Sequence, residues 1–265
     1  MVNRVAIGQY IPGNSFLHRL IPPVKIISLL VVLAALFMIK SFTGLGLFAL
    51  MVLGLYGCSG LPLQRLVTGL RPVLYIILFT LVVYALTNKG GVVLLRVGRF
   101  TVDSLGISGG AFMASRLVLL IWTTLLLTFT TAPLSLAAGI EYLLKPLQRL
   151  RVPVAEIALI MTIALRFIPT LMEESRRIMW AQMARGVSFD TGGLRQKIRN
   201  LTPLIIPLFV GAFRRADELA LAMEARGYQV GAERSSLKTA RVGPADWLTL
   251  LSAAGLLAVV TISHI

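Results

Sequence analysis

The chain has 265 residues, of which 57% are hydrophobic and 14% charged, with a formal net charge of +15 and a single cysteine. A mean hydropathy of +0.84 excludes an ordinary soluble domain and calls for a membrane, while the lone Cys58 excludes internal disulfides and any cysteine-based zinc cluster. The positive charge is spread around apolar runs without interleaved aromatics, so it points to lipid headgroups and cytoplasmic loops and excludes nucleic acid as a partner.

In chain order, Met1 to Pro12 lacks the cationic lead, apolar core and cleavage site of a secretory signal peptide, so the mature protein is expected to start near Met1. Apolar segments follow at Val24–Ile39, Phe42–Gly57, Pro72–Leu86 and Leu117–Ala132, and a fifth comes later at Trp247–Ile262. Each is predicted to be a transmembrane helix. Lys25 and Lys40 can snorkel from the ends of the first, and Tyr84 and Trp247 can anchor at the interface. The short turn at Ser41–Thr43 makes the first two helices an antiparallel hairpin. Gly44, Gly46, Gly54, Gly57 and Gly60 read as small-residue packing positions. Asn88–Met113 reads as an external loop, in which the alternation from Val92 to Val102 predicts a small hairpin. Ionisable residues are almost absent from the middle of these five segments, which is awkward for a secondary transporter.

Between the fourth and fifth segments, the stretch Ala132–Gly243 carries 16 of the 26 Lys and Arg. Such loops stay in the cytoplasm. Four preceding crossings then place the N-terminus inside as well, in agreement with Arg4, Arg19 and Lys25. The opposing signal of Lys89, Arg96 and Arg99 is outweighed, and Ile265 is left outside. The expectation is therefore an all-α polytopic membrane protein of about five transmembrane helices, with a cytoplasmic coupling region of three helices, two of them long and amphipathic. The predicted divisions are 1–131, a membrane domain of four helices; 132–243, the coupling domain; and 244–265, the last transmembrane helix.

The three cytoplasmic helices are predicted at about Leu134–Leu150, Pro153–Arg185 and Thr202–Arg226. In the second, Ile157, Ile160, Met161, Ala164, Leu165, Ile168, Met172, Met179 and Met183 recur at three- and four-residue spacing, and Pro169 should kink it. In the third, Leu201, Leu204, Ile205, Leu208, Ala212, Ala216, Leu219 and Met223 form the stripe, Arg214 pairs with Asp217 and Glu218, and Thr202 caps ahead of Pro203. Pro153–Met172 is apolar enough to be a sixth span. Glu156 and Arg166 count against that, since each costs about 2.5–3.5 kcal/mol at the bilayer centre.

Both long helices close on the same triplet, Ala184-Arg185-Gly186 and Ala225-Arg226-Gly227. One such triplet reads as a cationic last turn with a glycine stop. Two copies on consecutive amphipathic helices point instead to a pair of docking tips for two ATP-hydrolysing subunits, because an arginine fork can satisfy carbonyls and carboxylates at a buried contact. Glu173, Glu174, Arg176 and Arg177 read as a solvated charged face with local pairing. His18 and His264 are incidental. No catalytic constellation, metal site or cofactor site is expected, and no phosphate-binding Gly-x-x-x-x-Gly-Lys-Ser/Thr loop is present, so energy must come from a partner.

Gly8-Gln9-Tyr10-Ile11-Pro12-Gly13-Asn14-Ser15, with Leu17-His18-Arg19-Leu20, Pro22 and Lys25, resembles the start of the transmembrane T component of energy-coupling factor transporters. Pro203–Tyr228 is similar to that family's most recognisable segment, and Met183–Asp190 resembles its first arginine motif. The resemblance implies a non-catalytic membrane subunit working with two ABC ATPase subunits and a substrate-binding S component in vitamin or metal-ion uptake. It also implies that Ala184, Arg185, Gly186, Ala225, Arg226 and Gly227 are the two coupling motifs that insert into the ATPases, and that ATP-driven closure moves the long helices and topples or releases the S component. A conventional ABC importer permease lining its own substrate path is the competing expectation.

Overall fold

The computed structural model describes residues 10–62, 64–88, 90–97, 100–189, 193–231 and 242–263. Expectations resting on Arg4, Gly8, Gln9, Lys89, Arg99, Asp190, His264 and Ile265 lie outside them. The chain divides into two compact units, Met1–Ile140 with Thr239–Ile265, and Glu141–Lys238.

The first unit is a helical bundle. A single turn, α1 (Phe16–Arg19), leads into α2 (Pro22–Met38), whose two leading prolines suit a first turn that has no N–H bonds to lose. Ser41 caps α3 (Phe42–Ser59) by accepting from the Gly44 N–H at 3.0 Å. The turn does not make the expected hairpin, because α2 packs not along α3 but against the helices at Pro244–Ser263 and Ser104–Thr130. The expected span at Pro72–Leu86 is longer and broken: α4 (Gln64–Leu70) passes through a 3₁₀ turn at Arg71–Val73 into α5 (Leu74–Thr87). Pro72 has no N–H for an α-helical bond, which accounts for the tightened turn. The predicted hairpin is present as strands β1 (Val93–Val97) and β2 (Phe100–Asp103), antiparallel and with a register shift between Val93 and Leu95. Immediately after it comes α6 (Ser104–Thr130), which starts thirteen residues earlier than expected at Leu117 and so shortens the loop expected at Asn88–Met113. The bundle is completed by the first part of α7 (Pro133–Leu144) and by α10 (Pro244–Ser263).

Core packing centres on Phe48, Val52 and Tyr56 of α3 against Leu119 and Phe129 of α6, with the Tyr56 hydroxyl donating to the Trp122 carbonyl at 3.2 Å. The outer surface is apolar as well as the core, with Leu74, Tyr75, Ile76, Leu78 and Phe79 of α5 all facing outward, as contact with lipid requires. The small-residue contact is also not where glycine content pointed. At Gly46, Gly54 and Gly57 nothing approaches the position of a Cβ, and Gly60 ends α3 in the left-handed region at φ 68°. The close approach belongs to Gly106 and Gly110, a Gly-x-x-x-Gly pair on α6 that packs against the backbone of α5 at Leu81 and Ala85.

Because α6 begins early, Arg116 falls inside it and corrects the expectation of an almost charge-free interior. Its guanidinium donates to the Ile39 carbonyl at the end of α2 and stacks 4.8 Å from the centroid of Phe112. His18 is likewise structural: Nε2 donates to the Ile11 carbonyl at 3.0 Å, leaving Nδ1 to accept from the Ser15 hydroxyl at 2.6 Å.

Among the described residues, five helical segments are long and apolar enough to cross a membrane: α3, α4 with α5, α6, α8 (Val154–Ala184) and α10, with α2 slightly shorter at 17 residues. On length and composition α8 therefore qualifies, despite the charges of Glu156 and Arg166 that argue for the interface. The protein is an all-α polytopic membrane protein, its one short hairpin aside.

In the second unit the expected helix to Leu150 stops at Leu144 and continues as a 3₁₀ turn, Lys145–Leu150, ended by Arg151 at φ 63°. Pro146 again explains the tightening. The long pair is α8 and α9 (Leu194–Ala225). Thr202 does not cap α9, which begins eight residues earlier after Gly193 and runs through Pro203 and Pro207. Each proline removes one backbone donor and leaves one carbonyl of the preceding turn without its helical bond. Similarly, α8 is continuous across Pro169.

Candidate functional site

The two triplets fold identically. In α8 the last helical residue is Ala184, Arg185 sits at φ −86°, ψ 7°, and Gly186 turns to φ +87°. In α9 the last helical residue is Ala225, Arg226 sits at φ −90°, ψ 7°, and Gly227 turns to φ +76°. The hydrogen bonds repeat too. Gly186 N–H donates to the Met183 carbonyl and Val187 N–H to Gln182, each at 3.0 Å; Gly227 N–H donates to Glu224 at 2.9 Å and Tyr228 N–H to Met223 at 3.0 Å. This is the paired 5→2 and 6→1 pattern of a Schellman ending, which needs a left-handed residue just past the helix. Gly is the residue that takes that conformation without strain.

The consequence for arginine is positional. With glycine carrying the reversal, the residue before it is held at the end of the helix barrel, and both Arg185 and Arg226 are exposed. Neither has an ion-pair partner among the described residues. Alanine at Gly186 or Gly227 meets no neighbouring atom, so its cost is backbone strain alone, about 1–2 kcal/mol. We expect Gly186→Ala and Gly227→Ala each to shift thermal unfolding by only a few degrees, measured on the detergent-solubilised protein.

Further from the tips, the charged cluster of α8 splits. Glu173 and Arg177 face solvent as expected, but Glu174 and Arg176 turn inward. Arg215 of α9, which was not singled out from the sequence, brings Nη2 to 2.7 Å from Glu174 Oε2. The approach is too oblique for a hydrogen bond, and Arg215 Nη1 and Arg176 Nε also lack one. The contact is thus an ion pair between two helices, with side-chain exposures of 27% and 31%. Its neighbour Arg214 makes the predicted surface pair with Glu218 at 3.6 Å, both ends well exposed. Adjacent residues on a helix lie about 100° apart, which is why one arginine of the pair faces water and the other faces α8. A double-mutant cycle on Glu174→Ala and Arg215→Ala, read by thermal unfolding, is expected to give a coupling of about 1 kcal/mol, between the values for exposed and buried pairs.

Glu156, whose charge argued against a membrane span, accepts from the Gly231 N–H at 3.1 Å. Apolar side chains remain exposed on both helices: Ile157, Ile160 and Met183 of α8 and Ile205 of α9 from the predicted stripes, and Phe209, Val210 and Phe213 of α9 outside them. Among the described residues, no group of three or more His, Cys, Asp or Glu side chains could hold a metal ion.

Apolar helices long enough to span a bilayer and two matched helix ends, each presenting an exposed arginine, define a multi-pass membrane protein with two equivalent cationic tips. The cobalt transport protein family CbiQ matches residues 13–237. The chain is 48% identical over 258 residues to the energy-coupling factor transporter transmembrane protein EcfT of Thermosediminibacter oceani, covering 97% of each chain. It is 43% identical to the EcfT of Bacillus subtilis, over 90% of each chain, and 43% identical to the EcfT of Clostridium kluyveri, over 100% of this chain and 98% of the relative. The chain belongs to this family, as the transmembrane T component of an energy-coupling factor transporter.

Proposed function

We propose that the protein is the non-catalytic coupling subunit of an ABC-type importer for a micronutrient, a vitamin or a metal ion. It transmits the ATP-driven motion of two ABC ATPase subunits to a substrate-binding S component. Arg185 and Arg226, each with its flanking alanine and glycine, dock into the two ATPases, and residues 132–243 form the cytoplasmic coupling domain. The N-terminus shares the cytoplasmic side and the C-terminus lies outside. The single observation that carries this reading is the repetition, in bond pattern and dihedral angles, of one exposed arginine ending on two long helices.

Two further observations support it. Uncovered apolar surface on α8 and α9 fits a protein or lipid partner better than water. The pair Glu174–Arg215 joins the two helices that carry the tips, which fits their acting together. The test is site-directed crosslinking in the complex assembled with its ATPases and S component. With the exposed Cys58 replaced by serine, cysteines placed at Ala184 and Ala225 should each crosslink to an ATPase. Crosslinking at neither position would overturn the assignment, and labelled ATPase at only one would leave a single docking tip.

A further inference from the structure

One end of the membrane-embedded unit holds a half-open cavity of about 310 Å³ that the helix-end arginines do not use. That volume is at the lower end of the range of about 300–1,000 Å³ found for ligand sites. Its walls are apolar, built from Val32 of α2, Leu55 of α3, Leu126 of α6 and Leu256 of α10. At one end the lining changes character. Lys25 is 7% exposed, and its ammonium donates to the Thr130 carbonyl at 3.0 Å and to Thr131 Oγ1 at 3.2 Å. An ammonium has three protons, so one donor is left over. Ser28 Oγ, also in the lining, is buried with no hydrogen-bond partner.

The electrostatics of this end are positive. Asp246 is close enough to act on Lys25 through space, but its two oxygens are taken by the Ile21 N–H at 3.0 Å and the Gly243 N–H at 2.8 Å. Those contacts bring the starts of α2 and α10 together, and helix starts carry partial positive charge. Arg19 is exposed and stands between Leu17 and Leu20, both of which line the cavity. Two cations and the N-termini of α2 and α10 therefore stand at this end against one carboxylate and the C-terminus of α6 at Thr130, which leaves a net positive charge. An apolar slot closed at one end by surplus positive charge matches an anionic amphiphile. A free phosphate would leave the walls uncovered.

We propose that the cavity holds one acyl chain of an anionic phospholipid, with the headgroup phosphate against Lys25 and Arg19. The hydrocarbon covers the α2, α3, α6 and α10 walls, and the phosphate accepts from the spare Lys25 proton and the Arg19 guanidinium. The occupied site would brace the start of α10 against α2.

The test is native mass spectrometry of the full-length, detergent-exchanged protein after incubation with equal amounts of phosphatidylglycerol and phosphatidylcholine of the same chain length. The wild type is expected to retain one phosphatidylglycerol with a preference of about fivefold, the size that one net cation near a headgroup gives. Arg19→Gln, at an exposed position that is not needed for folding, should lower that preference. Ser252→Phe, at the exposed side of the lining, should block the slot and lose retention of both lipids. Retention of neither lipid by the wild type, equal retention of the two, or wild-type retention by Ser252→Phe would each overturn the proposal.

Discussion

Replacing Arg185 and Arg226 together with glutamate is expected to abolish ATP-driven uptake while the protein still folds and inserts. Both side chains are exposed in the isolated chain, and neither is held by an ion pair among the described residues. Their loss from the last helical turn therefore costs about 0.3–1 kcal/mol each, the worth of a cation at a helix C-terminus. In the complex the reckoning differs. Truncating one member of a buried, hydrogen-bonded charge pair costs about 2–5 kcal/mol, and 2 kcal/mol already weakens binding about 30-fold. Reversing the charge adds repulsion to that loss. Each single variant should keep one ATPase contact and some activity, and the double variant should keep neither. Co-purification of the ATPases and coupled ATP hydrolysis, measured alongside thermal unfolding, separate the two costs. Wild-type uptake by the double variant would show that the arginines serve only as helix ends.

A comparable loss, but of folding, is expected for Gly106→Val. A Cβ at Gly106 would lie 2.8 Å from the carbonyl oxygens of Ala85 and Asn88 and 3.1 Å from the Ala85 Cα, and one at Gly110 would lie 3.0 Å from the Leu81 carbonyl oxygen. All are backbone atoms of α5 or its end, so relief requires α5 and α6 to separate along their shared seam. Overpacking of this kind costs about 1–3 kcal/mol where side chains can adjust, and we expect the upper end or beyond because they cannot. Gly109→Ala is the control. Its Cβ would meet only the Asn88 side-chain amide at 3.4 Å and Tyr84 Cδ1 at 3.7 Å, which is ordinary contact. Its thermal unfolding should stay near that of the wild type, whereas Gly106→Val should unfold at clearly lower temperature or fail to accumulate in the membrane.

The membrane class and the chemistry of the two tips were legible in the sequence because both rest on local signals. Apolar runs form helices in lipid whatever their neighbours, since every backbone donor must be satisfied within the segment. A glycine after a long amphipathic run marks a helix stop, and the residue before it is fixed by geometry within one turn. Thus α8 and α9 end at Ala184 and Ala225, directly before the arginines that the sequence singled out. Helix starts were less legible. The early starts of α6 at Ser104 and α9 at Leu194 lie in polar or glycine-rich stretches that read as loop, and packing of Gly106 on α5 overrides that reading for α6.

By itself, then, the amino-acid order determined a helical membrane protein with paired arginine endings, because hydropathy and capping act over a few residues. Only the tertiary structure decided which groups meet across helices. It joined Glu174 to Arg215, set Arg116 on the end of α2, and brought Lys25 and Asp246 to the same end of the bundle. Those partners stand 41, 77 and 221 positions apart in the chain, and no local propensity acts over such separations; close packing of the folded helices selects them.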